Sequence, residues 1–327
     1  MTRVLDVRDL RVSFPAPDGP RFYPVDGVSF ALERGETLAL VGESGSGKSL
    51  TSLALLQLVP PPGRVEPGSA IRLGDTDVLS LQGETLRQIR GGRIGMIFQD
   101  PMTSLNPVFT VGDQIAEGVR AHLPVTKAEA RERARALLQE VGIPDPAGRL
   151  DAYPHQLSGG MRQRVMIAIA LSAEPEILVA DEPTTALDVT VQAQILEVLD
   201  GLRRTHGMAI LLITHDLGIV AGRADRVAVM YAGQIVEEAP TPELFAHPSH
   251  PYTQGLFASV PRISGPITRL TPIGGTVPPP TAWPAGCRFR PRCPQAFGKC
   301  QLAPELMPVG RDHRMRCWLA EGKVPRD

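Results

Sequence analysis

Eight residues, Gly42-Glu43-Ser44-Gly45-Ser46-Gly47-Lys48-Ser49, constrain this chain more than any others. They fit the pattern G-x-x-x-x-G-K-[ST], which requires a strand to enter the loop and a helix to leave it. Both flanks are present. Thr37 to Val41 reads as a compact apolar strand, and from Ser49 to Val59 the residues Leu50, Leu53 and Leu56 recur at helical spacing, with a stop at Pro60. The glycines let backbone N–H groups turn inward on the β- and γ-phosphates of a nucleotide, and the helix start at Lys48 adds its dipole to that grip. Lys48 would neutralise phosphate charge, the Ser49 hydroxyl is placed to ligate Mg²⁺, and Leu50 completes the set of residues expected to hold the nucleotide. A glycine-rich turn with an exposed lysine is the plain alternative, and the agreement of motif with context argues against it. Alone, the loop predicts only that a nucleoside triphosphate such as ATP binds.

Two further segments supply what such a site needs. Asp181-Glu182 ends the apolar run Ile177-Leu178-Val179-Ala180. That places two acids at the carboxyl edge of a parallel sheet, where ligands of such folds bind. Asp181 would hold the Mg²⁺ shell, and Glu182 could polarise the water that attacks the γ-phosphorus. Two solvated acids opening a turn before Pro183 would be the bland account of the pair taken alone. Leu157-Ser158-Gly159-Gly160-Met161-Arg162-Gln163-Arg164 makes a second anion-binding helix start, with Ser158 able to cap and two glycines leaving the backbone bare. Its plain counterpart is a Gly–Gly helix start that merely packs. Two phosphate grips on one chain suggest a nucleotide held between two copies or two paralogues.

The chain has 327 residues, 43% hydrophobic and 21% charged, enough for one large core and an appendage. A formal net charge of −1 argues against a global commitment to nucleic acid. No apolar run reaches the roughly 18 to 20 residues that span a bilayer, and Met1 to Asp9 has no apolar stretch of the secretory kind. A cytosolic chain whose membrane role comes through partners is expected.

Residues 4–14 alternate like a strand and Val28 to Leu32 gives another. Val111 to Arg120, Lys127 to Val141 and Met161 to Leu171 read as helices of an inserted helical subdomain, about residues 100–172. A βαβ rhythm returns with Ile177 to Ala180, the helix Val191 to Arg204 and the apolar strand Ala209 to Thr214. Val227 to Tyr231 and Gln234 to Val236 read as a hairpin around Ala232-Gly233. After Pro261 the composition shifts to Pro, Gly and Arg, placing a boundary near 262 between a domain over 1–262 and an irregular module over 263–327.

With these elements in order across roughly residues 4–240, the chain resembles the ATP-binding subunits of ABC transporters. The resemblance implies an α/β fold: a P-loop NTPase of ABC type with an antiparallel β subdomain, an inserted helical subdomain and a small C-terminal cysteine module. It also implies roles. Phe14 looks like the aromatic that stacks on adenine, with Tyr23 as a fallback. Gln99 resembles the glutamine that touches Mg²⁺ or water and whose loop meets the transmembrane partner. Ser158, Gly159 and Gly160 match the signature that closes on the other subunit's γ-phosphate, Ala186-Leu187-Asp188 the loop that couples the two sites, and His215 the histidine that senses γ-phosphate. All are intact, which implies a hydrolysis-competent ATPase.

Phe98-Gln99-Asp100-Pro101-Met102-Thr103-Ser104-Leu105-Asn106-Pro107 and His247-Pro248-Ser249-His250-Pro251-Tyr252-Thr253 resemble segments of the dipeptide, oligopeptide and nickel importer branch. The histidines there read as turn residues rather than ligands. The resemblance implies a peripheral subunit at the cytoplasmic face of the membrane. Its expected partners are a second ATPase subunit, self or paralogue, in a nucleotide sandwich, two transmembrane permeases and an extracytoplasmic substrate-binding protein, with no nucleic acid. Cargo would be di- or oligopeptides, with nickel or another small solute as the alternative. A soluble ABC ATPase of DNA repair or translation is the rival from another class.

All four cysteines lie in the tail, as Cys287-x5-Cys293-x6-Cys300-x16-Cys317. In a reducing compartment such a cluster reads as a metal or iron–sulfur site more readily than as disulfides. The spacing lacks the C-x-x-C pairs of a zinc ribbon, four thiolates suit a [4Fe–4S] cluster, and the branch resembled carries one in its extension. Zinc and free thiols stay open. Arg288, Arg290, Arg292, Arg311, Arg314 and Arg316 surround the thiols, either offsetting cluster charge or forming a solvated basic face.

Overall fold

The computed structural model describes residues 2–16, 19–185, 187–259 and 272–322. The expected boundary near 262 and residue Ala186 lie outside the described residues. Two compact units emerge, one built chiefly on Leu73–Ile213 and the other on Asp6–Ala31, Thr37–Arg72 and the chain from Thr214 onward. Among the described residues no helix is long and apolar enough to cross a membrane.

In the first unit three parallel strands lie side by side. Ile94–Ile97 pairs with Ile177–Asp181, which pairs in turn with Ala209–Thr214 from Ile177↔Ala209 to Asp181↔Ile213. Every residue of the last two strands is buried, as expected where helices cover both faces of a parallel sheet. The helices start on capping side chains. Thr110 accepts from Asp113 N–H ahead of Val111–His122, and a reciprocal Thr126/Glu129 box opens Lys127–Glu140. Lys127–Glu140 buries Ala130, Ala134, Leu137 and Leu138 along one stripe, and each leucine so buried contributes about 2 kcal/mol. Gly159–Ala170 packs against both of these helices. It begins two residues before the expected Met161, because Ser158 caps it and the glycines form its first turn. Val189–His206 follows Asp188 and ends on Gly207 at φ 61°.

In the second unit, Thr37–Val41 pairs in parallel with Arg226–Tyr231, which turns back as Gln234–Pro240 through Ala232 and Gly233, both at positive φ. Paired positive φ values match the right-handed twist of a two-residue hairpin. The expected helix to Val59 stops at Lys48–Leu55. Gln57 takes φ 50°, Leu58 N–H donates to Leu53 O and Gln57 N–H to Ala54 O, a glycine-free version of the usual helix-ending pair.

The tail is more regular than its composition suggests. His313–Met315 adds to the sheet against Gln234–Pro240, with Glu237 opposite Met315, and Met307–Gly310 adds beyond it. Strands of three and four residues, one containing Pro308, have too little periodicity to read, so the register is set by what they pack on. Gln234–Pro240 runs past the expected end at Val236, and its Glu237 and Glu238 are buried. His313 Nε2 lies 2.7 Å from Glu237, and Arg314 donates to Glu238 at 2.6 Å. The core beneath joins Tyr231, Tyr252 and Phe289 with Cys287 and Cys300. Tyr231 and Tyr252 lie 4.6 Å apart by ring centroid, and Phe289 meets Tyr231 edge-on at 5.2 Å.

Candidate nucleotide site

The octet folds as the motif demands. Gly42 has φ 155° and a Cβ there would lie 2.1 Å from the Met230 carbonyl oxygen; Gly47 has φ 104° and its Cβ would lie 2.6 Å from that of Pro24. Backbone crowds both positions, so neither accepts a side chain. Lys48 is only 5% exposed, and its ammonium donates to the carbonyl oxygens of Gly42 at 2.8 Å and Glu43 at 3.1 Å. The plain alternative of an exposed lysine on a glycine turn is thereby excluded. Gly233 N–H donates to Ser46 O at 2.9 Å, anchoring the loop to the hairpin turn. Ser44 and Gly45 at the loop tip are exposed, while Ser49 and Leu50 begin the helix half-buried.

Glu43 is held at every polar group. Its N–H donates to Tyr252 Oη at 2.9 Å, its carbonyl accepts from Lys48, and its carboxylate receives both arms of Arg292 at 2.6 and 3.0 Å. The Arg292 guanidinium also lies over the Tyr231 ring, 5.7 Å from its centroid. The paired carboxylate pushes Arg292 above the ordinary arginine range. Sequence reasoning missed Tyr252 and Arg292 as neighbours of this loop. The one belongs to the segment before the tail and the other reads as a basic neighbour of Cys293, and no local pattern reports a contact across 249 positions.

In the other unit, Asp181 is buried at the end of its strand, and Glu182 follows at φ 47°, its N–H donating to Ile213 O at 2.9 Å. The Glu182 carboxylate accepts from Gln99 Nε2 and from the Thr185 hydroxyl, each at 2.9 Å. Two residues separated by 83 positions are thus brought into direct contact. With its nitrogen on Glu182, Gln99 keeps its amide oxygen as an acceptor for a ligand. Ser158 Oγ accepts from Met161 N–H at 3.4 Å, and Asp188 from Val191 N–H at 3.0 Å. A Cβ on Gly160 would lie 2.7 Å from Val191, so packing calls for glycine there.

Phe14 stacks on Phe22 at 5.9 Å, and Tyr23 is half-buried nearby in sequence. His215 is exposed between Ala209–Thr214 and the short helix Leu217–Ala221. His250 is a helix cap: its Nδ1 accepts from Tyr252 N–H at 3.0 Å.

All four cysteines are free, with Cys287, Cys300 and Cys317 buried and Cys293 half-buried. Burial is the main cause that pushes the Cys287, Cys293 and Cys317 thiols up, Cys317 to about 11, and the neighbouring sulfurs add to it. Backbone N–H groups point at three sulfurs: those of Phe289 and Arg290 at Cys287, Gln295 at Cys293 and Leu319 at Cys317. Such donors favour the thiolates that a metal centre takes as ligands. Among the described residues, no three His, Cys, Asp or Glu side chains converge where one metal ion would sit. Several of the tail arginines are more than a solvated basic face. Arg288 donates to Ala232 O and to the Asp26 carboxylate, Arg314 to Glu238 and Arg316 to Ile235 O, so they fasten the tail to the rest of its unit.

Comparison with known proteins places this geometry. Residues 25–185 match the family described as ABC transporter, and residues 236–300 match the oligopeptide/dipeptide transporter C-terminal region. The oligopeptide transport ATP-binding protein AppD of Bacillus subtilis is 52% identical over 98% of both chains. The dipeptide transport ATP-binding protein DppD of Haemophilus influenzae is 50% identical over 96% of this chain and 94% of its own. Among solved structures, cbiO1 of Clostridium perfringens, part of the ABC transporter complex cbiONQ, is 28% identical. It aligns with a TM-score of 0.64 over 76% of this chain and 92% of its own. The dimeric bacterial ABC transporter cassette MJ0796 gives 25% identity and the same TM-score over 72% and 98%.

Proposed function

The chain belongs to the ABC transporter ATP-binding family, in its oligopeptide/dipeptide branch, and from that premise we propose that it powers uptake of di- or oligopeptides by binding and hydrolysing ATP. The observation that carries the chemical part is the loop Gly42–Ser49, closed over a buried Lys48 and followed directly by a helix. The names of the near-full-length relatives support the peptide cargo.

In this reading Gly42 to Leu50 grip the phosphates, and Phe14, backed by Phe22, stacks on the base. Mg²⁺, when bound, screens the β- and γ-phosphate charge; the Ser49 hydroxyl, the Gln99 amide oxygen and the Asp181 carboxylate are the hard oxygen donors suited to hold it. Glu182 accepts a proton from the attacking water, with Gln99 and Thr185 fixing its carboxylate, and His215 contacts the γ-phosphate. Ser158, Gly159 and Gly160 close on the nucleotide of a second ATPase subunit, self or paralogue, and Asp188 lies at the joint between the two sites. The Gln99 loop passes the resulting motion to two permease subunits at the cytoplasmic face, where the chain is peripheral and where a binding protein outside the membrane presents the cargo. The module over 263–327 carries a [4Fe–4S] cluster on Cys287, Cys293, Cys300 and Cys317. A four-iron cluster is broader than one ion, so its ligands need not converge on a point, and the N–H groups aimed at three sulfurs suit it.

Reconstitution with the permeases and binding protein in lipid nanodiscs tests the assignment. ATPase activity should rise when the binding protein is loaded with di- or oligopeptide. Stimulation by nickel and not by peptide would reassign the cargo. Co-purification with nucleic acid or ribosomes, and with no membrane subunits, would overturn the transport role.

A further inference from the structure

Arg292 occupies an unusual position for a residue of the C-terminal module. Its side chain is only 5% exposed, its Nε–H donates to Gly274 O at 2.8 Å, and both terminal nitrogens reach the Glu43 carboxylate. Glu43 is the second residue of the phosphate loop, and Tyr252 and Lys48 fix the other two polar groups of the same residue. A bidentate arginine holds a carboxylate in one plane and one orientation, which a lysine cannot do. Glu43 is the one formal negative charge within the octet. Unpaired, it would oppose the charge of a triphosphate; paired with Arg292, it is neutralised and held still. Arg292 itself is fixed by its carbonyl partner and by the face of Tyr231. The module is thus wired to the loop through its own cysteine segment, since Cys293 is the next residue.

We propose that Arg292 is a positioning residue for the phosphate loop, through which the C-terminal module sets the affinity for nucleotide. The proposal rests on reading Gly42–Ser49 as the phosphate site. Without Arg292, the Glu43 carboxylate stands uncompensated beside the phosphates, and at the effective dielectric of a partly exposed site that repulsion weakens binding by roughly tenfold.

The experiment measures binding of Mg·AMP-PNP to the purified full chain by calorimetry. Arg292→Ala should raise Kd roughly tenfold, and Arg292→Lys, which keeps charge and stem but not the fork, should fall between it and the parent. In a Glu43→Gln background the same Arg292→Ala change should raise Kd by less than about threefold, because the charge to be compensated is gone. A merely structural role would give the same loss in both backgrounds, and that outcome overturns the proposal, as does an Arg292→Ala Kd within about twofold of the parent. Lys48→Ala separates the premise. If it binds as the parent does, the phosphate-site reading itself fails; if it abolishes binding while Arg292→Ala is silent, only the Arg292 proposal fails.

Discussion

At Glu182 the backbone turns to φ 47°, a conformation that costs a non-glycine residue about 1–2 kcal/mol. The strain is held by the N–H bond to Ile213 O and by a carboxylate fixed between Gln99 and Thr185. Strain of this kind gathers where a side chain must be aimed. Glu182→Gln keeps an oxygen for both donors but cannot take a proton. Steady-state turnover should fall at least ~100-fold, while Mg·ATP affinity measured by calorimetry changes less than about threefold. Near-parental turnover would remove Glu182 as the base. Glu182 was legible from its place after the apolar strand and Gln99 from the family resemblance; their hydrogen bond was not, because the 83 residues between them say nothing about which strand lies beside which.

Among the elements, the helix Pro251–Ala258 shows how a motif read as a turn became a structural joint. Its cap, His250, is fully buried, and burial holds its imidazole from an ordinary 6.5 down to about 4. Nearby Glu237 and the Arg316 carbonyl oppose that shift without reversing it. The folded chain therefore keeps His250 neutral where the unfolded chain would protonate it. This contribution is complete above about pH 6.5 and is lost as pH falls toward about 4, amounting to about 3 kcal/mol. His250→Asn retains an acceptor for Tyr252 N–H and cannot ionise. Thermal melts between pH 7 and pH 5 should show a shallower loss of Tm for the variant than for the parent; equal slopes would place the titration elsewhere. The same region holds the tail strands, whose few residues carry no readable period and whose register comes from Glu237 and Glu238 meeting His313 and Arg314.

For the molecule as a whole, the tail is the part whose purpose depends most on what it binds. Three of its sulfurs receive backbone N–H groups, and Arg288, Arg314 and Arg316 are committed to acids and carbonyls of the same unit. A cluster there would staple a segment with little core of its own. Protein purified without oxygen should be brown, with visible absorption that Cys300→Ser bleaches and with iron and acid-labile sulfide in the parent. A colourless parent containing zinc or no metal would overturn the cluster.

The sequence by itself determined the phosphate loop with the strand that enters it, the apolar strands of the βαβ stretch and the capped helices; most of the residues expected at the nucleotide came from the family resemblance. Those features are local: a glycine that must admit a left-handed turn, a Ser or Asp that must cap, an apolar run that must be buried on both faces. Only the tertiary structure decided that Gln99 rests on Glu182, that the tail extends a sheet, and that Arg292 closes on Glu43. Such contacts depend on which distant segments share a neighbourhood. That is settled by the packing of the core, and a charged side chain gives no local sign of which opposite charge it will meet.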